Sequence, residues 1–201
     1  MVDYSSKKFI LYKGKIMHGN EKNQLTNNIV LGGGCFWCLE AILKNVKGIH
    51  TIIPGYSGGY TENPTYKEVC TNQTGHAEVV KIIYDPDTIS LDNILKLFFV
   101  IHDPTTKDRQ SGDIGSQYRS IILPASVEQE KIAYKVKKEI QDEKIWKNPI
   151  VTEIKMLDKF YPAEKEHQNY FELHPEVAYC QAVIEPKVRK FRQKFIDYLK
   201  K

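Results

Sequence analysis

Asn28-Ile29-Val30-Leu31-Gly32-Gly33-Gly34-Cys35-Phe36-Trp37-Cys38-Leu39-Glu40 changes its periodicity halfway along. Asn28 to Leu31 reads as a short strand. Beyond the glycines, Leu39, Ala41, Ile42, Leu43 and Val46 recur as the inner face of a helix. Cys35 is therefore expected at a strand-to-helix turn, at a helix N-terminus. Unpaired backbone N–H groups there favour an anion, which would lower the thiol's pKa and make it more nucleophilic. The three glycines would let backbone pass close to a ligand, and Phe36 and Trp37 set aromatic surface beside the sulfur. Other readings stay open from this stretch alone. A buried cysteine is often an inert small hydrophobe, the glycines can simply make a tight turn, and Cys35-x-x-Cys38 can be half of a zinc site. A phosphate loop does not fit, since no Lys-Ser/Thr follows the glycines and the GxGxxG spacing is absent.

Around this stretch, 201 residues suffice for one domain with a good core. An apolar fraction of 41% with 27% charged residues is ordinary for a globular protein. No apolar run approaches the length that crosses a bilayer, and residues 1–19 lack the continuous apolar core of a signal peptide. The expectation is a cytoplasmic protein, where cysteines more often do redox or metal work than form structural disulfides. A net charge of +4 is no signature of nucleic-acid binding.

Residues 1–27 read as an N-terminal arm, rich in lysine and asparagine, and 28–201 as a single domain. Gly48 to Tyr56 is a β-branched strand ending in a turn. Residues 57–66 form a long loop, with Tyr56, Tyr60 and Tyr66 lying within eleven residues. Such loops are mobile or functional. Ala77 to Tyr84 is a strand closed by Asp85-Pro86-Asp87. Glu78, near its start, reads on its own as a solvated strand-end carboxylate. Among its apolar neighbours it could instead stay protonated and serve as an acid. Ser90 caps a helix that ends at His102-Asp103-Pro104, a polar loop spans 109–119, and Ser120 to Leu123 is a strand. A charged helix runs from Val127 to about Lys144, Ile150 to Leu157 alternates as a strand, and residues 160–171 read as a short aromatic helix. Glu185 to Lys201 forms an amphipathic helix with Val188, Phe191, Phe195 and Leu199 inward. Two split β-α-β units make an α/β (α+β) protein, a ferredoxin-like two-layer sandwich with a mixed sheet and extra C-terminal helices.

Six motifs in order resemble the A-type peptide methionine sulfoxide reductases. They are Gly34-Cys35-Phe36-Trp37, Gly55-Tyr56-Ser57-Gly58-Gly59 with Asn63-Pro64-Thr65-Tyr66, Gly75-His76-Ala77-Glu78, His102-Asp103-Pro104, the run Gly112 to Arg119, and Ala163 to Gln168. The resemblance implies that Cys35 attacks the sulfoxide sulfur and becomes a sulfenic acid. It implies that Glu78 donates the proton, that Tyr66 and Tyr118 orient the sulfoxide oxygen with Asp113 in the same pocket, and that Phe36 and Trp37 receive the S-methyl group. It further implies the S epimer of methionine sulfoxide, free or in oxidised proteins, as substrate, and thioredoxin or another dithiol as reductant. The enzyme is expected to be a monomer with no metal or other cofactor, and with no nucleic-acid or membrane partner. For recycling, the resemblance puts Cys180 first as the resolving thiol. Cys38, three residues along, stands second, because a Cys-x-x-Cys at a helix N-terminus can close a disulfide, and direct external reduction stands third. Cys180 lies in Gln181-Ala182-Val183-Ile184-Glu185-Pro186 surroundings rather than a glycine-rich tail. Cys70 reads as a structural thiol. Two other classes compete with this reading, a zinc module and a dithiol–disulfide oxidoreductase acting on protein substrates.

Overall fold

Strand–helix alternation across 28–101 generates the frame. The computed structural model describes residues 27–200, so the expected arm over 1–27 lies, apart from Asn27, outside the described residues. The strands are β1 (Asn28–Gly32), β2 (Ile49–Ser57), β3 (Ala77–Tyr84), the short β4 (Arg109–Gln110) and β5 (Asp113–Ile114), β6 (Ile121–Leu123), β7 (Glu153–Ile154) and β8 (Phe160–Pro162). The helices are α1 (Phe36–Leu43), α2 (Tyr66–Cys70), α3 (Leu91–Ile101), α4 (Val127–Asp142), α5 (Tyr170–Leu173) and α6 (Glu185–Lys194).

Six strands form one sheet in the order β7-β6-β1-β3-β2-β8, while β4 and β5 pair with each other. All neighbours in the large sheet are antiparallel except β6 and β7. The sheet is thus mixed, as expected. Its central order, β6-β1-β3-β2, arises because α1 carries the chain from β1 across one open strand position to β2, β3 fills the gap between β1 and β2, and α3 carries the chain past β1 to its other side.

Side chains alternate across each strand. On one face Ile29, Leu31, Val80, Ile82 and Ile122 join α1, α3, α4 and α6 in the main core. On the other, Val30, Ala77, Val79, Ile121 and Leu123 form a small cluster closed by Leu157 and Phe160. The helices therefore cover one face, giving two layers. Phe36, Phe98, Phe99, Leu39, Leu43, Ile94 and Leu95 are fully buried there. At roughly 1.5–3 kcal/mol each, their burial dominates what holds helices to sheet. Ser90 and Ser126 cap α3 and α4 by accepting from the backbone N–H groups of Asn93 and Gln129.

Several elements differ from the sequence reading. Residues 160–171 do not form one aromatic helix: Phe160–Pro162 pairs with the edge of β2, Gly55 opposite Pro162, before a 3-10 turn at 165–167 and the single-turn α5. Aromatic residues suit a strand edge as well as a helix, and pairing with β2 decides between them. Of Ile150–Leu157 only Glu153 and Ile154 pair, in parallel with β6. The amphipathic tail buries Val188, Phe191 and Phe195, but α6 stops at Lys194 and a 3-10 turn follows.

Candidate active site

Cys35 is the N-cap of α1, with φ −59° and ψ 126°, and its carbonyl accepts from Cys38 N at 3.1 Å and Leu39 N at 3.4 Å. The preceding glycines are required by packing. A Cβ on Gly33 would lie 2.8 Å from His102 Cδ2, and Gly34 combines φ +87° with Gln110 Cγ at 2.6 Å. His102 is itself fixed. Its Nδ1–H donates to Phe98 O at 2.6 Å and its Nε2 accepts from Ser120 Oγ at 2.7 Å. Burial holds it neutral, with its pKa brought down to about 4. The His102-Asp103-Pro104 motif thus buttresses the cysteine turn. The backbone of Tyr118 ties down the same turn, Gly34 N–H donating to its carbonyl at 3.1 Å.

Glu78 belongs to β3 opposite Tyr56. The strand's alternation points it to the helical face together with Val80 and Ile82. It is 1% exposed, so the reading of a solvated strand-end carboxylate does not hold. Period two was the signal that could have found this. The carboxylate reaches the first turn of α1, where Oε2 accepts from Phe36 N at 3.0 Å. Burial pushes its pKa up to about 8, and the nearby Asp113 and Cys38 add to the rise against the Phe36 hydrogen bond. A carboxyl group that keeps its proton at neutral pH therefore lies beneath the cysteine turn.

The two thiols of the turn are in hydrogen-bond contact. Burial, the hydrogen bond to Cys38 and the charge of Cys38 hold the Cys35 thiol well above its ordinary range. Cys38 is brought down to about 7, first by the hydrogen bond from Cys35, against its own burial, and then by the charge of Lys187. The two sulfurs titrate as a pair, and burial, the hydrogen bond between them and the Lys187 charge favour the thiol at Cys35 and the thiolate at Cys38. All four cysteines are free thiols.

Three more elements close around the pair. The Tyr66 and Tyr118 hydroxyls are both pushed up by burial and then by Glu78. Asp113, on β5, accepts from the Tyr179 hydroxyl at 2.9 Å. The structure therefore gathers Cys35, Cys38, Glu78, Tyr66, Asp113 and Tyr118 in one place. Cys70 joins them, since Tyr66 hydrogen-bonds to its sulfur. Phe36 is fully buried, its ring 5.9 Å from Tyr56 and 6.2 Å from Tyr66. Trp37 is half-buried, with Tyr170 stacked on it at 3.7 Å and 8°. The Trp37 Nε1 is buried with no hydrogen-bond partner among the described residues. Cys180 is fully buried, at the start of a π-helical turn, 180–184, that leads into α6.

Several supporting residues escaped the sequence reading. Glu164 accepts from Tyr56 Oη and Tyr66 N, both at 2.7 Å, so the Ala163 to Gln168 motif locks the tyrosine loop to the sheet edge. Burial opposes its ionisation, but these hydrogen bonds keep its carboxyl below the ordinary range. Glu40 accepts from Asn169 N at 2.9 Å, and burial raises its pKa to about 7. His76 pins the 57–66 loop: its Nδ1 accepts from Gly59 N at 3.1 Å and its Nε2 bonds Thr61 O at 2.8 Å. Of the three tyrosines counted in that region, Tyr60 is an exposed loop residue bonded to Gln73 O.

A paired thiol at a helix N-terminus, over a protonated buried carboxyl and between two hydroxyls, is the equipment of a thiol-dependent reductase. The sequence model of the family described as Peptide methionine sulfoxide reductase matches residues 27–199. The chain is 56% identical over 171 residues to the peptide methionine sulfoxide reductase MsrA of Granulibacter bethesdensis, an alignment covering 85% of this chain and 92% of that protein. Among solved structures it resembles Mxr1 from Saccharomyces cerevisiae in reduced form, with TM-score 0.71 and 36% identity over 76% of this chain and 88% of Mxr1. Mxr1 in complex with Trx2 also matches, with TM-score 0.51 and 30% identity over 71% of this chain and 83% of that one. The chain belongs to the peptide methionine sulfoxide reductase family, and its reaction is the reduction of methionine sulfoxide. Among the described residues no helix is long and apolar enough to cross a membrane.

Proposed function

We propose that the chain reduces the S epimer of methionine sulfoxide, free or in oxidised proteins, with Cys35 as nucleophile and Glu78 as acid. The observation that carries the reading is the proton-bearing Glu78 carboxyl bonded to Phe36 N at 3.0 Å, next to the reactive turn. A sulfoxide oxygen is a poor leaving group until it is protonated, and a carboxyl that titrates near 8 is a donor at neutral pH. As Cys35 Sγ attacks the sulfoxide sulfur, its proton passes to Cys38 Sγ and Glu78 delivers its own to the oxygen. The oxygen finishes on Cys35 as a sulfenic acid and the electron pair returns to the methionine sulfur, so methionine leaves reduced. The Tyr66 and Tyr118 hydroxyls orient the oxygen, and Asp113 holds Tyr179 beside them. The methyl group packs on the Phe36–Trp37 wall.

Cys38 then resolves the sulfenic acid. Its sulfur is already hydrogen-bonded to Cys35, whereas Cys180 is buried in the π-helical turn. The resulting disulfide is opened by a dithiol reductant of the thioredoxin kind. The similarity to the yeast protein crystallised with Trx2 supports that partner. The protein acts as a monomer in the cytoplasm, repairing oxidised methionine.

The test is methionine formation by Cys35→Ser and Glu78→Gln with dithiothreitol as reductant. Loss of product in the first, with at least a hundredfold slower reaction in the second, is expected. Normal product formation by Cys35→Ser contradicts the assignment of the nucleophile.

A further inference from the structure

Lys187 lies on α6, 149 residues from Cys38, yet its Nζ is 3.6 Å from Cys38 Sγ. The placement is built into the fold. Ile184, Val188 and Phe191 are buried at helical spacing, so the core fixes the face of α6 that carries Lys187 across the first turn of α1. Tyr179 approaches the same sulfur just before the π-helical turn, its hydroxyl lying between Cys38 and Asp113. A hydroxyl has one proton, so Tyr179 donates to one of them at a time.

We propose that Lys187 is a positioning residue that keeps the resolving thiol, Cys38, in its ionised form, so that the C-terminal helix sets the rate at which the enzyme recycles. This rests on the reading of Cys35 as nucleophile and Cys38 as resolver. The groups facing Cys38 make the demand plain. From the turn itself comes the Cys35 thiol, from β5 the Asp113 carboxylate, from β3 Glu78, from the tail Tyr179 and Cys180, and from α6 Lys187. The Asp113 carboxylate opposes a thiolate, and so does burial. The S–H donor of Cys35 exists only while it is a thiol. Once it has become a sulfenic acid, Lys187 and the shared Tyr179 hydroxyl remain to favour the anion, and this is the moment at which Cys38 must attack.

The step balances within the site. Cys38 gives up the proton it took from Cys35 and attacks Cys35 Sγ as S⁻, the S–S bond forms, the Cys35 S–O bond breaks, and the leaving hydroxide takes up that proton as water. The Cys38 sulfur is oxidised as the sulfenic sulfur is reduced, and no outside oxidant is needed.

The experiment is a single turnover of the full chain with one equivalent of a methionine sulfoxide peptide and no added reductant. Methionine release and Cys35–Cys38 disulfide closure are followed separately, by chromatography and by mass spectrometry of quenched samples, across pH 6 to 10. The variants are Lys187→Met, which keeps the apolar stem, and Lys187→Arg, which keeps the charge. An opposite charge at this range shifts a thiol by about one pH unit or more. Disulfide closure in Lys187→Met should therefore be roughly tenfold slower near pH 7, approach the wild-type rate above about pH 9, and be restored largely by arginine. The thiolate absorbance of the reduced enzyme should move to higher pH in parallel. Wild-type closure kinetics in Lys187→Met at pH 7, with methionine released normally, overturn the role of Lys187. A wild-type enzyme that releases no methionine, or joins Cys35 to a different cysteine, overturns the underlying reading instead.

Discussion

Replacing Glu78 with glutamine should make the protein more stable and nearly inactive at once. The amide can still accept from Phe36 N, now 3.0 Å from the carboxylate, so the local geometry is kept and only the proton is lost. General acid catalysis contributes about a hundred- to ten-thousandfold, and the variant's kcat/KM should fall within that range. The stability effect follows from linkage. The folded carboxyl titrates near 8, against an ordinary value of 4.5. The folded state therefore holds a proton that the unfolded chain releases between those values, and wild-type stability is lost as pH rises through that window. The full penalty above pH 8 is on the order of 5 kcal/mol from that difference, an upper bound because residual structure in the unfolded chain reduces it. The assay is paired urea melts of wild type and Glu78→Gln at pH 5, 7 and 9, with methionine formation measured on the same preparations. The variant should match wild type near pH 5 and exceed it by a few kcal/mol at pH 9. In wild type alone, activity should fall as pH rises through about 8. Equal stabilities at pH 5 and pH 9, or full activity in the variant, would refute a buried, protonated Glu78.

Cys38→Ser should release one methionine per enzyme and then stall with thioredoxin, while Cys180→Ser continues to turn over; counting product against enzyme separates the two. Tyr66→Phe and Tyr118→Phe should each lower kcat/KM by about one to two orders of magnitude by removing a hydrogen bond made to developing charge, as steady-state kinetics would show. Gly33→Ala should destabilise by about 1–3 kcal/mol in thermal or urea melts, because its methyl group meets the His102 ring at 2.8 Å and that ring is held at both nitrogens.

What could be read from the chain follows from how local each signal is. The β1–turn–α1 unit was legible because its apolar period changes within a dozen residues, and α3 and α4 because Ser90 and Ser126 mark their starts. The short α2 was missed although Thr65 and Glu68 form a reciprocal capping box, a signal that was there to be used. β8 was misread because three aromatic-rich residues carry no period, and only their pairing with β2 makes them a strand. The site residues could be named from their motifs, but their electrostatics could not. Besides Cys35, the groups that act on the Cys38 sulfur include Lys187 and Tyr179, which come from more than 140 positions away. The burial of Glu78 was legible in the alternation of β3, once that strand's inner face is identified by Val80 and Ile82.

The most direct test of the account is a thiol map of the wild-type chain after reaction with one equivalent of methionine sulfoxide and no reductant. The account predicts one methionine released per enzyme and a Cys35–Cys38 disulfide, with Cys70 and Cys180 recovered as free thiols. An unmodified Cys35, or a Cys35–Cys180 bridge with Cys38 free, would contradict it.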